Sequence, residues 1–268
     1  MPKVNINGVA LNYEKHGEGD PLVLIPFLSA DNACYAFQLP EYSKHFECFV
    51  LDPRGAGESD KSEGVYTTEL FADDIASFMD AVGIEKAHLF GVSLGAATCL
   101  KFGTKYPNKL KSLSIHSGWA KTDLYLETVI RSWQALASTY QNVAETVINA
   151  IFPCCLTPSL YASNPEHVHN LSEFIKGRPA QPVEAFIRQC DAVITHDCES
   201  ELSNIKAPTY ITFGEYDMIT SPGRFADKMK SAIENSELEI FEGCAHAPLY
   251  EKTAEFNQKS LDFLSRTV

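Results

Sequence analysis

Three residues of this chain could together activate a nucleophile, and they occur in the order serine, aspartate, histidine. Ser93 stands at the centre of Gly91-Val-Ser-Leu-Gly95, between an apolar run containing Ala87, Leu89 and Phe90 and a helix-permitting run over 94–106. A tight strand–turn–helix elbow of this kind holds its serine in a strained backbone conformation, with the hydroxyl pushed out above a sheet. Gly91 and Gly95 let neighbouring backbone come close, where a Cβ would crowd the turn. The N–H of Leu94 opens the helix, and an N–H at a helix start can stabilise a developing oxyanion. The plain alternative is a glycine-flanked serine in an ordinary loop. The strand before it and the helix after it weigh against that.

Such a serine needs a base, and the base needs an acid to orient it. Asp217 lies in Gly214-Glu-Tyr-Asp217, just past a strand pattern over 209–213 and ahead of Pro222. A carboxylate there can accept the Nδ1–H of a histidine and fix its tautomer. Glu215 is a rival by proximity, and a turn-forming or helix-capping aspartate is the bland reading. His246 lies in Glu242-Gly-Cys-Ala-His246-Ala-Pro, between a strand pattern over 238–241 and the last helical pattern. It would take the proton from Ser93 and hand it to the leaving group. Among the other histidines, His116 follows a strand and is a weaker candidate, while His88 sits at the start of the nucleophile strand, away from its carboxyl end. His167, His169 and His196 fall in a helical stretch and could at most touch a substrate.

The elements that must position these groups alternate strand and helix. Residues 3–7 and 9–16 alternate polar and apolar around Asn7-Gly8, a strong hairpin signal. Residues 21–25 and 46–51 are apolar runs suited to strands buried on both faces. A short helix is expected over 32–42, closed near Pro40, and another from an N-cap at Thr67 to Val82, with Phe71, Ile75, Phe78 and Val82 on one face. A short strand is expected over 113–115. From about 118 to 202 helical patterns replace strands, over 124–141, 143–152, 172–175 and 183–195, with breaks at Pro153, Pro158, Pro165, Pro179 and Pro182. Helices are expected again around 221–233 and 253–265. The pattern predicts a core of 1–117 and 203–268 with a helical cap of 118–202 inserted over it. Alternating strands and helices imply a mostly parallel α/β sheet with helices on both faces, and ligands bind such sheets at the strands' carboxyl ends.

Bulk properties narrow the partners. The 268 residues are 45% hydrophobic and 21% charged, with a net charge of −13. That balance suits one large globular domain with an insertion, and it disfavours nucleic acid and acidic membrane surfaces, which call for basic patches. No apolar stretch approaches a membrane span, and the first residues lack a signal-peptide core, so a cytoplasmic location is expected. The eight cysteines form no CxxC pair and no zinc-like spacing with histidine. Reduced thiols are expected, with no metal and no cofactor; a homodimer is left open.

The serine–acid–histidine order in this strand context resembles the α/β-hydrolase fold superfamily over essentially the whole chain, including the Asp52-Pro-Arg-Gly-Ala-Gly-Glu-Ser59 loop. That loop lacks the third glycine of a dinucleotide fingerprint and leads into no immediate helix. Within the superfamily, residues 27–31, 37–40, 45–46, 190–197 and 205–209 look like the 3-oxoadipate enol-lactonase and small-esterase branch. Most members carry His-Gly after the third strand; here Pro26-Phe27 stands instead. By position, the resemblance gives the second oxyanion donor to the N–H of Leu28, beside that of Leu94. It implies a serine hydrolase that cleaves an ester or lactone of a small molecule through an acyl-enzyme. Phe27, Trp119, Trp133, Phe152 and Phe186 are expected on the substrate pocket, with Leu28 and Ile151; plain core packing is the alternative for each. A carbon–carbon bond hydrolase or thioesterase with the same triad is the nearest rival. A slow-hydrolysing, ligand-sensing protein of this fold is the rival that Pro26-Phe27 favours.

Overall fold

The computed structural model describes residues 2–267, so Met1 and Val268, at the outer ends of the two expected core ranges, lie outside the described residues. The chain opens with a hairpin of β1 (Lys3–Ile6) and β2 (Val9–His16), paired antiparallel. Asn7 and Gly8 between them take φ of 48° and 77°, the left-handed pair that a two-residue turn needs between twisted strands. There follow β3 (Asp20–Ile25), a 3-10 turn at Asn32–Tyr35, α1 (Leu39–Tyr42) and β4 (Phe46–Leu51). The expected single helix over 32–42 is therefore two short pieces, because Pro40 has no N–H with which to continue a ladder begun at Asn32.

Next come α2 (Thr68–Ala81), β5 (Ala87–Val92), α3 (Leu94–Lys105) and β6 (Leu110–His116). Thr67 caps α2, its side chain accepting from the Leu70 N–H. β6 is longer than the expected 113–115, since Ser112 and Ser114 interrupt its apolar pattern although both are buried. Later come β7 (Thr209–Gly214) and β8 (Ser236–Phe241). The sheet runs β1-β2-β4-β3-β5-β6-β7-β8, antiparallel at the β1–β2–β4 edge and parallel from β4 to β8. β5 has β3 on one side and β6 on the other, so chain order reverses beside the carboxyl end of β5, where a ligand crevice forms.

Both faces are covered. On one, α2 lays Phe78 against Tyr13 and Phe49. On the other, the last helix of the chain lays Phe256 against Phe90 and His116.

Residues 118–202 carry α4 (Leu124–Tyr140), α5 (Val143–Thr146), α6 (Phe152–Cys155), α7 (Pro158–Ser163), α8 (Pro165–Lys176) and α9 (Val183–Ile194). Pro153 does not break the run here. It cannot donate to the Asn149 carbonyl, and the chain answers with a π-helical turn at Val147–Ile151, in which the Phe152 N–H donates to the Val147 carbonyl. α8 extends well beyond the expected 172–175, because Asn164 caps it by accepting the His167 N–H and Pro165 opens it. The two ends of the segment meet: the Thr122 N–H donates to the His196 carbonyl at 3.0 Å and the Cys198 N–H to the Ala120 carbonyl at 2.8 Å. The core then closes with α10 (Pro222–Ala232), α11 (Pro248–Glu251) and α12 (Thr253–Ser265). Among the described residues no helix is long and apolar enough to cross a membrane.

Candidate active site

The turn after β5 is built around close backbone contacts. A Cβ on Gly91 would lie 2.4 Å from the Gly95 carbonyl carbon, and one on Gly95 would lie 2.1 Å from the Ile25 carbonyl oxygen. Only glycine lets α3 start so near the ends of β5 and β3. Ser93 takes the strain, with φ 54° and ψ −119°, a region that non-glycine residues rarely occupy. Its N–H donates to the His116 carbonyl at 2.9 Å and its carbonyl accepts from the Ala97 N–H at 3.0 Å, which fixes the turn from both sides. Leu94 is the first residue of α3, so its N–H lacks an intrahelical acceptor.

Asp217 is buried in the loop after β7. Its Oδ1 accepts the N–H groups of Ile219 and Thr220 at 2.9 and 2.8 Å, and its Oδ2 lies 2.8 Å from His246 Nδ1. Burial favours the neutral acid, but the His246 ring and the Thr220 donors outweigh it and hold the carboxyl below its ordinary value. A proton on Nδ1 facing this carboxylate leaves the Nε2 lone pair free to accept. His246 lies in the loop after β8, which the Ser117 hydroxyl steadies by donating to the His246 carbonyl at 2.9 Å. Glu215, the rival acid, points elsewhere: its Oε2 accepts the Gly243 N–H at 2.8 Å.

Ser93 and His246 both open onto a cavity of about 600 Å³ between the sheet's carboxyl edge and the helical segment. Its floor includes Phe27, Leu28 and Val92; Trp133, Val147, Ile151 and Phe152 close it from above. The π-helical turn thus faces the cavity. Among its polar lining residues, Arg178 Nε donates to the buried Asp31 at 2.8 Å. Among the described residues no group of three or more His, Cys, Asp or Glu is arranged to hold a metal ion.

A sequence profile for the alpha/beta hydrolase fold matches residues 16–253. The chain belongs to that family. Among curated proteins, this family member is 25% identical over 266 residues to "Putative carbamate hydrolase RutD" of Caulobacter sp. (strain K31), covering 95% of this chain and 96% of that protein. It is also 25% identical over 283 residues to 2-hydroxy-6-oxo-6-phenylhexa-2,4-dienoate hydrolase of Comamonas testosteroni, covering 97% and 93%. The enol-lactonase from Burkholderia xenovorans LB400 superposes with a TM-score of 0.89 at 23% identity, over 98% of this chain and all (100%) of that one.

In this alpha/beta hydrolase, two of the expected lining residues are elsewhere. Trp119 is 1% exposed, donates its Nε1–H to Thr122 Oγ1 and stands edge-on to His196; it packs the root of the helical segment. Phe186 is fully buried on the inner side of α9. Phe186 belongs to an amphipathic helix and Trp119 to the loop between β6 and α4; neither setting distinguishes internal packing from a cavity wall. Phe27, Trp133 and Phe152 do line the cavity, as do Leu28 and Ile151.

The remaining histidines separate cleanly. His116 is wedged between Phe90 and Phe256, with Nδ1 2.7 Å from Thr212 Oγ1, and burial lowers its pKa to about 3. His88 and His196 are buried and lowered to about 4. His167 lines the cavity, whereas His169 does not.

The Asp52–Ser59 loop proves to be scaffolding. Asp52 accepts from the N–H groups of Asn32 and Glu58, both at 2.7 Å, and from Asn12 Nδ2 at 2.8 Å; Arg54 makes a buried two-point contact with Asp74 at 2.9 and 2.7 Å. Two further side chains escape sequence reasoning. Glu251 accepts the Ala245 N–H on one oxygen and the Thr157 N–H on the other, both at 2.6 Å, so it ties the His246 loop to the helical segment. Gln189 makes a similar link on the opposite side of the cavity. Neither belongs to a motif; each matters through its partners, which only the folded chain brings near.

Proposed function

We propose that this chain is a serine hydrolase that cleaves an ester or lactone of a small molecule. The observation that carries the reading is the His246–Asp217 pair opening onto the same cavity as a serine held in a left-handed elbow. Ser93 Oγ attacks the carbonyl carbon while His246 Nε2 takes its proton, and Asp217 holds the ring and favours the imidazolium that forms. The Leu28 and Leu94 N–H groups receive the oxyanion. Collapse of the tetrahedral intermediate breaks the bond to the leaving group, which takes the proton from His246. Water, activated by the same ring, then releases the acyl group from Ser93.

The residues 118–202 act as a cap, and Phe27, Trp133 and Phe152 form the acyl-side wall. The apolar lining suits an uncharged acyl group, with polar substituents directed toward Arg178 and Asp31. Pro26 does not weaken this assignment, because the donor required is the N–H of Leu28, two residues on. The similarity to a dienoate hydrolase favours carbon–carbon bond cleavage as a second reading, since the same three side chains serve both reactions.

A panel of nitrophenyl esters, aliphatic lactones, thioesters, carbamates and vinylogous diketones tests the choice. Ester or lactone turnover highest in the panel, and lost in Ser93→Ala, is the expected result. Preferential cleavage of the diketones would move the assignment to carbon–carbon hydrolysis. No turnover by the native chain on any member would leave a ligand-binding role.

A further inference from the structure

We propose that Gln189 is a positioning residue for the oxyanion site, through which the helical segment sets the alignment of the Leu28 N–H. The proposal rests on the serine-hydrolase reading above. Gln189 sits on α9 and is 1% exposed. Its Nε2 donates to the Arg54 carbonyl at 3.1 Å, which orients the amide and leaves Oε1 facing the loop after β3. There Oε1 accepts the Ser29 N–H at 3.1 Å and Gln181 Nε2 at 3.0 Å. Gln181 also donates to the Gly55 carbonyl at 2.8 Å, so the acceptor is braced from a second side.

Ser29 needs that hold. Its φ is 63°, a left-handed conformation that a residue with a Cβ adopts only when its surroundings impose it. The peptide that Gln189 grips joins Leu28 to Ser29, and the N–H proposed to receive the oxyanion belongs to the peptide just before it. Releasing Ser29 lets the Leu28 backbone turn, and the donor swings off the reacting oxygen. An oxyanion donor acts more strongly in the transition state than on bound substrate, so its misalignment lowers kcat and spares KM.

The test compares native protein with Q189M, Q189E, S29G and the Q189M/S29G double variant on a nitrophenyl ester. Fluorophosphonate labelling of the native chain and thermal midpoints are measured alongside. Q189M is expected to lose about 30-fold in kcat, part of the ~10²–10³ associated with a whole donor, with KM within about twofold and an unmoved pH profile. Q189E keeps an oxygen toward the Ser29 N–H but sets a carboxylate oxygen against the Arg54 carbonyl, so its kcat falls at least as far as that of Q189M. S29G lowers the cost of the left-handed turn and restores at least about fivefold of kcat in the Q189M background. Should Q189M not fold, Q189N withdraws the amide by one methylene and is expected to show the same split.

An unchanged kcat in Q189M overturns the proposal. So does a joint loss of kcat, KM and thermal midpoint that S29G does not repair, which marks Gln189 as packing alone. A native chain that takes up phosphonate beside an unaffected Q189M sinks only the positioning role; a native chain that neither labels nor cleaves ester sinks the hydrolase reading and this proposal together.

Discussion

His246 Nδ1 stands 2.8 Å from Asp217 Oδ2, and the opposite carboxylate oxygen is tied down by two backbone N–H groups. The acid therefore cannot turn away from the ring without losing both. Asp217→Asn keeps the size but presents an amide to Nδ1, which selects the wrong tautomer and removes the charge that favours the imidazolium. We expect kcat on a nitrophenyl ester to fall by about 10³–10⁴ with little change in KM. Equal activity in the variant would exclude Asp217 as the orienting acid.

The elbow makes a prediction about stability as well as rate. Gly95→Ala drives a Cβ into the Ile25 carbonyl oxygen, 2.1 Å away, and backbone on both sides must move. Unfolding in urea should show a loss of at least about 2 kcal/mol, as for other overpacked buried sites. An unchanged midpoint would mean that the β3–α3 approach is looser than the structure has it.

Glu251 gives a third expectation. One carboxylate serves the Ala245 N–H and the Thr157 N–H and hydroxyl. Truncation in Glu251→Ala strands these donors and should cost about 1.5–3 kcal/mol, the range for hydrogen bonds to a charged group. It should also lower ester turnover, because Ala245 precedes His246. Stability lost with turnover intact would show that the His246 loop holds its place unaided.

The buried histidines set the acid limb of stability. His88 and His196 are lowered to about 4 and His116 to about 3, in each case chiefly by burial. The unfolded chain binds their protons near the ordinary value of 6.5, which the folded chain refuses. Their neutral state therefore favours folding fully above pH 6.5, and this is lost progressively as pH falls toward the folded values, at up to about 1.4 kcal/mol per pH unit for each residue. Urea midpoints measured from pH 7 to pH 4.5 should fall steadily. His88→Gln should flatten that slope, and a slope unaltered by it would contradict the assignment for that residue.

Much of this was legible before folding. The hairpin at Asn7-Gly8, the Thr67 cap, the bounds of α12 and the order Ser93, Asp217, His246 follow from local rules, in which a residue's role is set by near neighbours. Elements were misjudged where something other than the apolar pattern decides: β6 buries its serines, α8 opens at an Asn164 cap with Pro165 in its first turn, and Pro153 is absorbed by a π turn. The cavity wall was half legible. Trp133 on α4 and Phe186 on α9 are both apolar residues of amphipathic helices, yet one faces the cavity and the other packs inside, and helical periodicity does not encode that difference. Gln189 and Glu251 were invisible, because their roles depend on backbone groups more than ninety positions away, Ser29 and Arg54 in one case and Thr157 in the other.

Every step of the proposed reaction passes through Ser93 Oγ. Incubation of the native chain and Ser93→Ala with a fluorophosphonate probe, followed by intact mass measurement, tests it directly. One adduct on the native chain and none on the variant is the predicted result. An unlabelled native chain, or an adduct that persists in Ser93→Ala, would exclude Ser93 as the nucleophile.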